Sequence, residues 1–148
     1  MIRRKEKSNG MEKLLSIGEL EWYRNKLLAR EGEAKTCVQV CMTGCRAYGA
    51  AEVLAALKEE VKKQGLSREV EIRSTGCHGF CAKAPVIAIE PMGIQYQEVD
   101  PEDSAEIVAL TLKQSRMIDR LAYKDPQTGT PVFYRDQIPF YKRQETSY

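Results

Sequence analysis

The sequence predicts an α/β sandwich in which a strand–helix–strand unit is followed by a two-stranded hairpin and a closing helix. Two short runs with strand-like composition, 36–40 and 69–75, lie on either side of a segment with helical period, 50–64. The tripeptide Pro-Met-Gly at 91–93 separates two further apolar runs, which is typical of a tight hairpin. The dipeptide Asp-Pro at 100–101 then marks the start of the last helix.

The composition is that of one globular domain. The chain has 148 residues and a net charge of +2, which predicts no nucleic-acid partner. No apolar run approaches the roughly 20 residues that span a bilayer, and the basic N-terminus lacks the apolar stretch of a secretory signal. We therefore expect no membrane insertion and a cytoplasmic location. The expected organisation is a disordered basic tail at 1–13, an N-terminal helix at 14–35, the α/β domain at 36–118 and an extended docking or linker tail at 119–148.

The N-terminal helix is expected to open at a capping box. Ser16 and Glu19 have the three-residue spacing of that motif, and Gly32 stands just past the expected end near Arg30. The apolar residues of the segment fall on one side at helical spacing, which predicts a packing helix. They are Ile17, Leu20, Tyr23, Leu27 and Leu28.

The strand–helix–strand unit follows. Residues 36–40 form a short predicted strand, and 69–75 alternate as a second strand does. The helix between them, 50–64, ends in two lysines followed by Gly65, as a helix C-terminus favours. Its predicted buried stripe consists of Ala50, Val53, Leu54, Leu57 and Val61.

The remaining elements are two strands, a helix and a tail. The hairpin strands are predicted at 86–90 and 94–99, and the closing helix runs from the Asp100 cap to about Ser115. Beyond residue 119 the chain is rich in proline, turn residues and aromatics, and its apolar residues follow neither the helical nor the strand period. A flexible tail and a segment that docks on a partner surface are both compatible with this composition.

Four cysteines in two pairs carry the functional prediction. The first pair is Cys41 and Cys45, the second is Cys77 and Cys81, and each pair directly follows a predicted strand. A strand–helix–strand unit leaves its two strands parallel, so both pairs are expected at the same edge of the sheet. Paired cysteines in a cytoplasmic protein bind metal or do redox work more often than they form disulfides. Glycine-flanked thiolates suit an iron–sulfur cluster, and we predict electron transfer.

Other residues near the pairs are assigned smaller roles. Cys37 lies four positions before Cys41, about 13 Å away on an extended strand, so we expect a small buried side chain and not a ligand. His78 is the only histidine and is expected to donate a hydrogen bond, to tune local charge, or to be a plain loop residue. Arg46, Arg73 and Lys83 are cations that would ease reduction of a negatively charged cluster.

Four motifs together resemble one known family. They are Cys-x-Thr-Gly-Cys-x-x-x-Gly-Ala at 41–50, Thr-Gly-Cys-x-Gly-x-Cys at 75–81, Ala-Pro-Val at 84–86 and Pro-Glu-Asp at 101–103. The chain resembles the thioredoxin-like 2Fe–2S ferredoxins over roughly residues 36–115. The resemblance implies a thioredoxin-like fold and a 2Fe–2S cluster that transfers one electron at a time, with no catalytic residue. The implied ligands are Cys41, Cys45, Cys77 and Cys81.

The resemblance also implies a setting. The family occurs as the small iron–sulfur subunit of NADH dehydrogenase. It also forms the N-terminal domain of the flavin-bearing, NAD(P)-linked subunit of multimeric or electron-bifurcating hydrogenases. Residues 123–129 and 138–144 look like the segment that joins this domain to its flavin domain. The implied partners are a flavin- and NAD(P)H-binding subunit and other iron–sulfur subunits, and a homo-oligomer stays open.

One departure and one alternative accompany the resemblance. The family usually places four residues between its first two cysteines, whereas this chain has three, so we expect a tighter loop around Cys41. The alternative function is a structural zinc-binding interaction subunit of such a complex. Zinc ribbons favour two-residue spacings, and both pairs here have three.

Overall fold

The computed structural model describes residues 15–31 and 35–144, which belong to two compact units, Met1–Ala34 and Lys35–Tyr148. The predicted basic tail at 1–13 lies outside the described residues, as do the last four residues of the chain. Within the described ranges, no helix is long and apolar enough to cross a membrane.

The described part of the first unit is one helix, α1, Ile17–Glu31. Its start is capped as predicted, because the backbone N–H of Glu19 donates to Ser16 Oγ at 3.2 Å. The predicted packing role is wrong for the stripe itself: Ile17, Leu20, Tyr23, Leu27 and Leu28 are between 40% and 78% exposed. The physical reason is that the described part of this unit, residues 15–31, contains no second element on which the helix could bury an apolar face.

The second unit is built on a four-stranded mixed sheet. Its strands are β1 (Thr36–Cys41), β2 (Val70–Thr75), β3 (Ile87–Glu90) and β4 (Ile94–Tyr96), in the spatial order β2-β1-β3-β4. Strands β1 and β2 are parallel, and the other two pairings are antiparallel. The predicted strand–helix–strand unit and hairpin are therefore confirmed. In the parallel pair, Cys41 lies opposite Thr75.

Helix α2, Ala50–Lys63, connects the two parallel strands and covers one face of the sheet. Of its predicted stripe, Ala50, Val53, Leu57 and Val61 are buried, whereas Leu54 is half-buried. Gly65 adopts a left-handed φ of 76°, and the N–H of Leu66 donates to the Val61 carbonyl at 2.9 Å. This C-terminal motif turns the chain into β2.

The closing helix is irregular. A 3-10 turn at Pro101–Asp103 leads into a short α-helix, α3 (Ser104–Glu106), and then into a π-helix at Ile107–Leu112. The Asp100 N–H donates to Asp103 Oδ2 at 2.9 Å, which confirms the predicted cap. The sequence contained no indication of the π-turn. In it, the buried Thr111 hydroxyl lies 2.8 Å from the Tyr96 hydroxyl and donates to the Arg116 carbonyl at 3.0 Å.

The C-terminal segment, residues 119–144, differs from the extended tail predicted at 119–148. It forms a two-stranded sheet from β5 (Tyr123–Lys124) and β6 (Pro131–Val132), followed by a short helix, α4 (Pro139–Lys142). The N–H of Gln95 in β4 donates to the Phe133 carbonyl at 2.9 Å, and Ile138 is fully buried. The apolar side chains of this segment, which show no helical or strand period, therefore pack on the α/β domain itself.

Candidate metal centre

The first pair of predicted ligands is buried. Cys41 is the last residue of β1 and Cys45 lies in a 3-10 helix at Gly44–Tyr48; each side chain is only 1% exposed. The backbone of the first ligand loop, residues 41–49, is fixed at its start, because the N–H of Cys41 donates to the Val86 carbonyl at 3.2 Å. The next N–H, that of Met42, donates to the Thr75 carbonyl at 3.0 Å.

The two buried thiols have different acidities. Burial acts to raise the pKa of Cys41, but hydrogen bonds from Thr43, from Cys45 and from the His78 backbone outweigh it and lower the pKa to about 7. Burial raises the pKa of Cys45 to about 11, helped by the neighbouring Cys41 sulfur. Cys41 is therefore the more acidic thiol of the first pair. A metal centre that takes both sulfurs must displace the second proton.

The second pair lies at the surface. Cys77 follows β2 and Cys81 opens a 3-10 helix at Cys81–Lys83; both are exposed. Their sulfurs are 3.4 Å apart, close to the roughly 3.8 Å that two thiolates on one tetrahedral metal would show with metal–sulfur bonds of about 2.3 Å. The Gly79 N–H donates to Cys77 Sγ at 3.2 Å. The hydrogen bond between the two sulfurs raises the pKa of Cys81.

The two loops meet at Gly44. A Cβ added at this glycine would lie 3.3 Å from Cys81 Sγ, so the backbone of the first loop packs against a sulfur of the second. The parallel pairing of β1 with β2 brings the loops together, since both strands end at the same edge. The structure thus places the two ligand loops at the same edge of the sheet, with the first loop in contact with Cys81 of the second.

The donor set fits a two-iron cluster. Among the described residues, no three or more His, Cys, Asp or Glu side chains are grouped to hold a single metal ion. A structural zinc ion needs four ligands on one centre. A 2Fe–2S cluster takes four thiolates, two on each iron, and here the thiolates come as two separate pairs. Soft sulfur donors, glycine where the loops touch, and N–H groups directed at sulfur agree with that group.

The positions of Cys37 and His78 do not favour either residue as a ligand of the metal centre. Cys37 is half-buried within β1 and paired with Glu71 and Glu90 on the neighbouring strands, four residues before Cys41. The His78 ring is half-buried, with Nε2 3.1 Å from the Thr75 hydroxyl. Burial lowers the pKa of His78, so near neutral pH the ring is an uncharged hydrogen-bonding group.

The three predicted cations differ in their surroundings. Arg73 is paired with Glu71 at 2.7 Å, and Lys83 makes a longer contact of 3.5 Å with Glu98. Arg46 is exposed and follows Cys45 directly in the 3-10 helix. Among the described residues Arg46 makes no ion pair, so its charge is the least neutralised of the three.

An aromatic cover over the second ligand loop, residues 76–83, was missed by the sequence analysis. The Phe80 ring contacts three others, with centroid distances of 5.8 Å to Tyr123, 5.5 Å to Phe140 and 6.0 Å to Tyr141. The Tyr141 hydroxyl donates to the His78 carbonyl at 2.9 Å. The density of aromatics after residue 119 was the available signal, and it was assigned to a partner surface or to a flexible tail.

Comparisons with known proteins give a consistent result. A family model for thioredoxin-like 2Fe-2S ferredoxins matches residues 20–111. A 2Fe-2S ferredoxin of Clostridium pasteurianum is 31% identical over 77 residues, which is 52% of this chain and 76% of that protein. A 2Fe-2S ferredoxin of Aquifex aeolicus (strain VF5) is 36% identical over 78 residues, 52% of this chain and 70% of that protein.

Solved structures agree. One of a thioredoxin-like 2Fe-2S ferredoxin from Aquifex aeolicus matches with a TM-score of 0.57 and 32% identity over 59% of this chain and 88% of that chain. A second, of the wild-type protein from the same organism, gives a TM-score of 0.57 and 31% identity over 62% of this chain and 98% of that one. The C-terminal segment lies beyond the residues that the family model covers.

Proposed function

The chain belongs to the thioredoxin-like 2Fe-2S ferredoxin family, and on that basis we propose that Cys41, Cys45, Cys77 and Cys81 hold a 2Fe–2S cluster through which the protein carries single electrons. Electron carriage by such a cluster is what the family does. The assignment of the four ligands to these positions is our own step, and it rests on the geometry of this chain.

One observation supports the ligand assignment above all. The backbone of Gly44, which precedes Cys45, packs so closely on Cys81 that a single added carbon would lie 3.3 Å from its sulfur. Two loops from different strands are therefore joined at sulfur, at the edge of the sheet where α/β proteins place their sites. Cys37 is remote from this contact on β1.

The residues around the sulfurs stabilise negative charge and control the access of water. The cluster supplies a centre that accepts and returns one electron, with a charge of about −2 when oxidised and about −3 when reduced. The Gly79 N–H donates to Cys77 Sγ and stabilises negative charge on it, and the His78 backbone contributes to lowering the pKa of Cys41. Burial of the first pair keeps water from it, while the exposed second pair lies where a redox partner can approach.

Serine substitutions test the ligand set. Each of Cys41→Ser, Cys45→Ser, Cys77→Ser and Cys81→Ser is expected to lose most of its iron, because a hydroxyl is a poor ligand for this centre. The matched control, Cys37→Ser, should keep about two iron atoms per chain. Iron analysis of anaerobically purified variants gives the answer. Retention of the cluster in Cys41→Ser together with its loss in Cys37→Ser would reverse the assignment.

The setting we propose is a cytoplasmic NAD(P)-linked flavin and iron–sulfur oxidoreductase complex of the NADH dehydrogenase or hydrogenase type. In it the chain passes electrons between a flavin subunit and other iron–sulfur centres. The resemblance of residues 123–129 and 138–144 to the segment preceding a flavin domain supports this setting. The aromatic packing of that segment beside the second ligand loop is compatible with a route from flavin to cluster.

Purification from the source organism tests the setting. The tagged chain should co-purify with bound flavin and with reduction of benzyl viologen by NADH or NADPH. A chain that lacks residues 131–148 shows, by the same two measurements, whether the C-terminal segment is needed for this association. A wild-type chain that is isolated with its cluster, but without flavin and without NAD(P)H-dependent reductase activity, would contradict the proposed setting and leave the electron-carrier function standing.

A further inference from the structure

The end of the C-terminal segment packs on the second ligand loop. A Cβ added at Gly79, whose φ is 80°, would lie 3.2 Å from Phe140 Cζ. The Phe140 and Tyr141 rings are 5.0 Å apart in an edge-on arrangement, and both contact Phe80. The ring of Tyr141 is half-buried, and its hydroxyl reaches the backbone of the loop between the two cysteines.

Tyr141 contacts one peptide group there. Its hydroxyl donates to the His78 carbonyl oxygen at 2.9 Å. The nitrogen of the same peptide group is that of Gly79, and its N–H donates to Cys77 Sγ at 3.2 Å. The phenol, the His78–Gly79 peptide and the Cys77 sulfur therefore form a continuous chain of two hydrogen bonds, both directed toward the sulfur.

Such a chain is cooperative. A donor on the carbonyl withdraws electron density from the peptide and makes its N–H a stronger donor, by about 10–30% per bond. A gain of that size in a hydrogen bond to a charged acceptor corresponds to an equilibrium change of about 1.5- to 4-fold at sulfur. The stronger N–H favours the state with more negative charge on sulfur, which is the reduced state.

We propose that Tyr141 is a positioning residue for the cluster: its hydroxyl holds and polarises the His78–Gly79 peptide so that the Gly79 N–H stabilises negative charge on Cys77. The proposal rests on the ligand set proposed above. It assigns to the C-terminal segment, which lies outside the part of the chain matched by the family model, a role inside this molecule in addition to any role in docking.

Removing the hydroxyl is the first test. Tyr141→Phe keeps the ring and its packing on Phe80. The midpoint potential should become more negative, equivalent to an equilibrium constant for reduction that is about 1.5- to 4-fold smaller. Tyr123→Phe is the matched control, because Tyr123 also packs on Phe80. Spectroelectrochemical titration measures both. An unchanged potential in Tyr141→Phe with a full iron content, or equal shifts in the two variants, would overturn the proposal.

A second variant strengthens the same donor. Replacement of Tyr141 by 3-fluorotyrosine makes the phenol more acidic and a better hydrogen-bond donor at pH 7, so the potential should move in the positive direction. This variant keeps the size of the side chain nearly unchanged, so the experiment remains decisive if Tyr141→Phe folds poorly. A shift in the negative direction would contradict the proposal.

A cluster-free measurement separates this proposal from the proposed function. In the apoprotein, Tyr141→Phe should speed amide hydrogen exchange at Gly79 by about 1.5- to 4-fold, with no change at Gly76, as observed by NMR. Unchanged exchange at Gly79 would show that the phenol does not hold this peptide. If the wild-type protein bound no iron, the proposed function would fail, and the exchange result would still decide whether the hydrogen-bonded chain exists.

Discussion

Individual residues decide how closely the two ligand loops approach. Gly44 and Gly76 both lie next to a cysteine of the site, yet they differ in what surrounds them. A Cβ at Gly44 would crowd Cys81 Sγ at 3.3 Å, whereas a Cβ at Gly76 would have nothing within 4 Å. Only the first glycine is therefore needed for packing between the loops.

This difference gives a prediction about cluster retention. Gly44→Ala should release iron to a chelator several-fold faster than the wild type, because either the sulfur or the loop has to move by a few tenths of an ångström. Gly76→Ala should behave as the wild type does. The decay of visible absorbance under excess chelator measures both rates. Equal release from Gly44→Ala and wild type would show that the loops do not meet at this contact.

Arg46 gives a second prediction at the residue scale. Arg46 follows Cys45 in the first ligand loop, and loss of its positive charge would disfavour the more negative reduced state. Arg46→Gln should lower the midpoint potential by about 20–40 mV, which corresponds to about 0.5–1 kcal/mol for a one-electron couple. The control is Arg68→Gln, which removes an exposed charge in the turn before β2. This turn is at the end of the strand remote from the site, so salt screens the charge and the potential should not change. An unchanged midpoint potential in Arg46→Gln would show that the Arg46 charge does not ease reduction of the cluster.

At the scale of elements, the π-helix and the hairpin are joined by a buried hydrogen-bond network. The Tyr96 hydroxyl of β4 meets Thr111 at 2.8 Å and accepts the Ile118 N–H at 3.2 Å, and Thr111 donates to the Arg116 carbonyl at 3.0 Å. Each of these polar groups is paired, so the network can lie in the core without an orphaned donor or acceptor.

Substitution of Thr111 tests this network. Thr111→Val preserves volume but removes a hydroxyl, leaving partners unpaired in the core, and should cost about 1–3 kcal/mol. Thr111→Ser keeps the hydroxyl and should cost about 0.8 kcal/mol for the lost methyl group. Anaerobic urea unfolding followed by far-ultraviolet circular dichroism compares them. A valine variant as stable as the serine variant would show that the network contributes little.

The elements also show what a single sequence can predict. Strands β1 and β2 and helix α2 were predictable because local period and helix-end residues agree. The parallel pairing of the two strands brings the two cysteine-bearing loops to one edge of the sheet. The exposure of the α1 stripe could not be predicted. The spacing of apolar residues shows that they share one face of the helix, but it does not show whether another element covers that face. The π-turn depends on the long-range contact between Tyr96 and Thr111. The place of Tyr141 likewise depends on a contact across 63 positions in sequence.

On the scale of the whole molecule, the C-terminal segment completes the second unit. Ile138 is fully buried, and Arg135 contacts Glu90 at 3.2 Å beside the hairpin turn. Gln95, which is 1% exposed, lies under this cover, and its side-chain amide interacts with the Tyr141 hydroxyl, which offsets part of the rise that burial causes in the pKa of Tyr141. Burial of apolar side chains, Ile138 above all, supplies the free energy that holds the segment on the domain.

Ile138→Ala should therefore destabilise the protein by about 2–5 kcal/mol, whereas Ile138→Val should cost only about 0.5–1.5 kcal/mol. The unfolding free energy of the iron-loaded protein, measured anaerobically in urea, provides the comparison. An alanine variant with wild-type stability would mean that the segment is not held on the domain in solution.

The central claim is that four cysteines from two neighbouring loops hold one 2Fe–2S cluster. Metal analysis combined with electron paramagnetic resonance of the anaerobically purified, dithionite-reduced protein tests it most directly. We expect about two iron atoms per chain and one unpaired spin per chain. Colourless protein that contains stoichiometric zinc and gives no such signal would contradict it.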